Sequence, residues 1–128
     1  MSPEFFLDRN LGRRVAEELR QRGWVVHRIA DAFPTDAQDV PDEDWIRHGL
    51  GHGWVPLSKD GRIKTRDREI EPIRESSAVL FYLDNQQLRT MDMVERLHAN
   101  QHRIQSAVAR GGPAAYAVRA DRIERTWP

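Results

Sequence analysis

Three aspartates in this 128-residue chain stand where carboxylates can do chemistry together: Asp8, Asp42 and Asp60. Asp8 directly follows the apolar run Phe5-Phe6-Leu7, Asp42 opens the acidic triplet Asp42-Glu43-Asp44 after Pro41, and Asp60 follows Trp54-Val55-Pro56-Leu57-Ser58-Lys59. Carboxylates brought close together repel one another, so such a cluster is unfavourable unless a cation neutralises it. Hard oxygen donors with water select Mg²⁺ or Mn²⁺ rather than zinc. Taken singly, Asp42 and Asp60 read as well as a helix-start residue and a turn residue. Asp8, at the end of an apolar strand, is harder to explain that way.

The elements that must position these acids follow from hydrophobic patterning. Residues 4–8 read as a short strand ending in an acid. Residues 13–22 read as a helix carrying Val15, Ala16 and Leu19 at helical spacing and closed by Gly23. Residues 24–29 are β-rich, so the first thirty residues predict one β-α-β unit with parallel strands. Residues 30–41 lack an apolar period and read as a loop. A helix over 42–51 opens on acids that suit its macrodipole. Residues 54–58 read as a third strand, although Pro56 is unwelcome in a central one, and Lys59-Asp60-Gly61 as the turn after it. A short helix over 67–75, a buried strand over 78–83, one or two helices over 86–110 and a fifth strand over 114–119 follow. The tail to Pro128 carries no clear pattern. This alternation predicts one α/β domain over residues 1–128, an open, mostly parallel sheet of about five strands with helices on both faces.

In open parallel α/β sheets ligands bind at the carboxyl ends of the strands, where loops and helix N-termini gather. That edge is where Asp8, Asp42 and Asp60 are expected to meet. Within the acidic triplet, Asp42 lies four residues before Ile46 on the stripe marked by Ile46 and Leu50; Glu43 is second and Asp44 points more sideways.

Composition excludes several classes. The 20 basic and 20 acidic residues cancel, which argues against gripping duplex nucleic acid by bulk charge. The chain has no cysteine, so disulfide, thiolate-metal and cysteine-nucleophile chemistry are all ruled out. MSPEFFLDRN is no signal peptide and no stretch is apolar enough for a membrane span, so a cytoplasmic protein is expected.

Phe6-Leu7-Asp8-Arg9-Asn10-Leu11, Pro41-Asp42-Glu43-Asp44-Trp45-Ile46 and the run from Gly53 through Asp60-Gly61-Arg62-Ile63 together resemble the PIN-like domains of VapC-type toxins. The resemblance spans about residues 4–85. It implies a PIN-like fold, a metal-dependent ribonuclease using Mg²⁺ or Mn²⁺, an RNA substrate and a co-encoded antitoxin, and it leaves open whether the chain forms a homodimer. It also implies that Asp8, Asp42 or a neighbour such as Glu43, and Asp60 are the catalytic metal ligands. Many relatives carry further acids where this chain has Arg9 and Arg62, and Glu69 is the candidate fourth carboxylate. Arg62, Lys64 and Arg66, with Arg9 beside Asp8, are candidates to hold the substrate phosphates. The rival within the same fold is a binding module whose acids have been lost to Arg9 and Arg62. A phosphoacceptor domain would want paired acids after the first strand and a late lysine, and this chain has neither.

Other signals read as structural. His48/His52 and His98/His102 are spaced by four but lack a protease glutamate and read as surface histidines. Ser58 has no histidine partner for nucleophilic catalysis. Gly49, Gly51 and Gly53 do not form a nucleotide fingerprint, and Trp24, Trp45 and Trp54 read as core residues at element boundaries. The stretch from Met91 to His98 carries Val94 and Leu97 at helical spacing with Met91 and Met93 beside them; it reads as core covering the sheet, with a surface for a partner chain as the alternative.

Overall fold

The computed structural model describes residues 3–33, 40–59, 67–83, 85 and 87–128. Its elements are β1 (Glu4–Leu7), α1 (Arg13–Gln21), β2 (Val25–Arg28), α2 (Ile29–Ala32), α3 (Asp42–Gly51), β3 (Val55–Ser58), α4 (Asp67–Glu75), β4 (Val79–Tyr82), α5 (Thr90–Ala99), α6 (Gln101–Arg110), β5 (Ala114–Val118) and β6 (Ile123–Trp127). A single 3-10 turn, Arg9–Leu11, joins β1 to α1. The strands form one six-stranded sheet in the order β2-β1-β3-β4-β5-β6. The pairs from β2 to β5 are parallel and β6 runs antiparallel to β5.

The alternation of strand side chains divides the core in two. Phe5, Leu7, Val26, Leu57, Phe81 and Tyr116 face α1, α5 and α6, whereas Phe6, Leu80 and Tyr82 face Ile29 of α2, Trp45 and Ile46 of α3, and Ile70 and Ile73 of α4. The helices therefore cover both faces, as an α/β reading requires, and the central strands β3, β4 and β5 are buried along their length.

Three features depart from the pattern read in the sequence. The stretch taken as a loop from residue 30 begins with the single helical turn α2. The unassigned tail supplies a sixth strand, β6, hydrogen-bonded to β5 with a bulge at Ala115/Tyr116. Pro56 lies in a central strand after all: β3 runs between β1 and β4. Its pairing with β4 registers only at Leu57 and Ser58, past the proline, which is where a missing donor costs least. Of the turn expected at Lys59-Asp60-Gly61, Asp60 and Gly61 lie outside the described residues.

Of the histidines expected at the surface, His52 and His102 are exposed and His48 and His98 are half-buried. His98 accepts a 3.1 Å hydrogen bond from the Trp24 indole N–H, tying α5 to the start of β2. His27 and His52 stack on Trp54 at 3.8 and 4.4 Å between ring centroids, and His48 packs against Phe6, Phe33 and His52.

Gly49 lets α3 lie directly on Phe6: a Cβ there would stand 2.6 Å from Phe6 Cδ2. The Phe6 ring cannot swing away freely, because Trp45 and Trp54 pack on it at 5.9 and 5.2 Å. Gly49→Ala is therefore expected to destabilise the fold by about 1–2 kcal/mol, despite alanine's better helix propensity. Urea unfolding measures this, and an unchanged or raised midpoint would contradict the packing argument.

Candidate metal centre

Leu7 is the last residue of β1, and the backbone of Asp8 is still extended (φ −69°, ψ 162°) as it caps the following 3-10 turn. The Asp8 N–H continues the sheet by donating to Leu57 O at 3.0 Å. Its carboxylate is buried, with 6 % of the residue exposed, and three donors hold it. The Asn10 backbone N–H donates to Oδ1 at 2.6 Å, and the Ser58 hydroxyl and the Lys59 backbone N–H donate to Oδ2 at 2.6 and 3.2 Å. β3 lies beside β1, so the two strand ends bring Ser58 and Lys59 to Asp8 although fifty residues separate them.

Asp42 arrives from the other direction, as the first residue of α3. Trp45, one turn on, donates its indole N–H to Asp42 Oδ1 at 2.8 Å, which fixes the carboxylate over the cleft. Asp8, Arg9, Asn10, Ile29, Val40, Asp42 and Trp45 line one cleft of about 320 Å³. The structure thus brings Asp8 and Asp42 to one place at the carboxyl edge. Neither Glu43 nor Glu69 lines that cleft: Glu43 acts on Arg47, and Glu69 lies in α4. Asp60, Arg62, Lys64 and Arg66 lie outside the described residues. Among the described residues no three His, Asp or Glu side chains converge as a cation site.

The electrostatics of Asp8 are those of a desolvated carboxylate close to another acid. Burial pushes its pKa above the ordinary carboxylate value; the Ser58 hydroxyl and the Asn10 and Lys59 amides pull it down, and the Asp42 charge pushes it further up. The folded chain consequently holds this proton to higher pH than the unfolded chain does. Without a cation, the contribution of Asp8 to stability is complete below the unfolded pKa and is lost as pH rises through the raised folded value. A cation needs the carboxylate ionised, so its affinity rises with pH over the same window.

Ser58→Ala removes the strongest influence that lowers this pKa. The pH midpoint of Mn²⁺-induced thermal stabilisation is expected to move upward in that variant, and a midpoint that stays put or falls would show that the hydroxyl does not tune Asp8. The donor set fits a hard divalent cation, since Asp8 and Asp42 offer only oxygen and the chain has no thiol.

Two of these residues were not visible as site residues in the sequence. Ser58 reads there only as a serine without a base; its role depends on β3 pairing directly with β1. Trp45 does carry a local signal, its three-residue spacing from Asp42 on a helix.

A family model described as PIN like domain matches residues 3–85. A curated relative from Mycobacterium tuberculosis (strain ATCC 25618 / H37Rv), named "Putative ribonuclease VapC45", is 29 % identical over 122 residues, which cover 94 % of this chain and 88 % of the relative. No solved structure matches the chain. The matched residues hold β1, α3 and β3, the elements that carry Asp8, Asp42 and Ser58, and on that match the chain belongs to the PIN-like domain family.

Proposed function

We propose that this chain is a metal-dependent endoribonuclease, the toxin component of a toxin–antitoxin pair, acting as one PIN-like domain in the cytoplasm. The observation that carries the reading is the meeting of Asp8 and Asp42 on one cleft at the carboxyl edge, with Asp8 buried and held by three donors. The ribonuclease named among its relatives supports the substrate class and the toxin role. No helix among the described residues is long and apolar enough to cross a membrane.

Asp8 and Asp42 would hold the cation, with Asp60 as third ligand. Oxygen donors alone favour Mg²⁺ or Mn²⁺. When bound, the cation acidifies water and offsets the negative charge that develops on the phosphodiester during attack. The protein's part is to fix the donors in advance. Ser58 and the Asn10 and Lys59 amides set the Asp8 carboxylate so that it need not reorganise when the ion arrives, and Trp45 does the same for Asp42. Arg9, Arg62, Lys64 and Arg66 would neutralise and orient the phosphates beside the scissile bond. An antitoxin would silence the enzyme.

A quenched-fluorophore single-stranded RNA incubated with the protein tests this reading. Cleavage that requires added Mg²⁺ or Mn²⁺ and stops with EDTA is expected. RNA that stays intact over the full metal titration would instead favour the rival binding module, in which Arg9 and Arg62 have displaced needed acids.

A further inference from the structure

Asp8 separates two depressions at the carboxyl edge of the sheet. The acidic one, on the α3 side, also contains Asp42. A smaller one on the opposite side is lined by Leu7, Asp8, Arg9, Gly12, Arg28 and Ile29. The two share Asp8, Arg9 and Ile29, so a ligand in one is next to the other.

Arg28 ends β2 in register with Leu7, and strand alternation places it on the α1 face with Val26 and Leu7. Adjacent strands lie about 4.8 Å apart, which puts Arg28 one strand from the Leu7-Asp8 corner. Several other arginines are engaged: Arg22, Arg47 and Arg119 each pair with a carboxylate. Arg28 is half-buried and Arg9 exposed, and neither guanidinium makes an ion pair or hydrogen bond with a described residue. A guanidinium without such a partner keeps its donors for an incoming anion, and its planar fork matches the oxygens of a phosphate.

We propose that Arg28, assisted by Arg9, anchors the backbone phosphate that flanks the scissile bond, so that the RNA crosses the sheet edge from the α3 side to the α1 side over Asp8. This rests on the nuclease reading for the identity of the strand. It adds a residue outside the carboxylate centre and a direction for the substrate path.

The test uses the full chain in EDTA and short fluorescein-labelled single-stranded oligoribonucleotides, measured by anisotropy. One is fully charged, and each of the others carries a single uncharged methylphosphonate linkage, moved along the strand. Arg28→Gln is expected to bind the charged strand about tenfold more weakly, with a salt slope reduced by about 0.7. One methylphosphonate position should erase the difference between wild type and variant, because it removes the phosphate that Arg28 holds. Arg28→Lys, which keeps the charge but not the fork, should keep the salt slope and recover part of the affinity; it also serves if the glutamine variant folds poorly. Equal binding by wild type and variant, or a loss that no linkage position cancels, would overturn the anchor. Cleavage of the charged strand with Mn²⁺ is scored separately. Arg28-dependent binding without cleavage by the wild type would sink the nuclease reading and leave the anchor standing, whereas cleavage with Arg28-independent binding would do the reverse.

Discussion

Asp8→Asn is expected to lower RNA cleavage by about a thousandfold or more while leaving a folded protein. The two effects separate because the ionised Asp8 is unfavourable for the fold without a cation and is a ligand of the proposed centre. Its buried carboxylate is desolvated and sits in the field of Asp42, so neutralising it relieves a cost. The amide reproduces only part of the acceptor pattern, since the Asn10 N–H, the Ser58 hydroxyl and the Lys59 N–H all donate toward position 8. These contributions nearly offset, and a melting temperature in EDTA within a few degrees of wild type is expected. The Mn²⁺-dependent rise in melting temperature should disappear together with cleavage. Activity retained to within tenfold would show that Asp8 is a structural cap only.

The second large effect belongs to Trp45. Only 2 % of the residue is exposed, its ring packs on Phe6, and its N–H holds Asp42. Trp45→Ala opens a cavity between α3 and the sheet and is expected to cost about 3–5 kcal/mol, a large share of the stability of a domain this size. Trp45→Phe is the more informative partner. It keeps most of the volume and should cost less than half as much, yet it deletes the donor to Asp42. Cleavage in this variant is expected to fall about tenfold, the worth of a hydrogen bond to a charged group. Urea unfolding and cleavage rates measured on both variants separate packing from positioning. A phenylalanine variant as active as wild type would mean that the indole N–H does not orient Asp42.

The helices that frame the site were legible because local rules sufficed. Pro41 followed by three acids marks the start of α3, and α4 runs over the same residues, Asp67–Glu75, that the pattern suggested. β1 was legible as an unbroken apolar run ending in an acid. Two elements were not. α2 is one turn, too short to show a period, with Ile29 its sole buried residue. β6 is an edge strand in which Glu124 and Arg125 face solvent, so neither alternation nor an apolar run marks it.

The site divides along the same line. That Asp8 and Asp42 would meet followed from strand-end reasoning alone. The parts played by Ser58 and Arg28 depend on which strands flank β1, and the order β2-β1-β3 is a non-local fact that neither residue announces. Asp60 stands as the third ligand of the proposed centre, on the strength of its place after β3 in the sequence.

A crystal soaked in Mn²⁺, with anomalous scattering measured at the manganese edge, asks whether these carboxylates meet around an ion. A peak is expected at the carboxyl edge of the sheet, within coordination distance of oxygens from both Asp8 and Asp42. A peak elsewhere on the molecule, or a carboxylate pair bridged by an arginine or lysine side chain at saturating Mn²⁺, would contradict it.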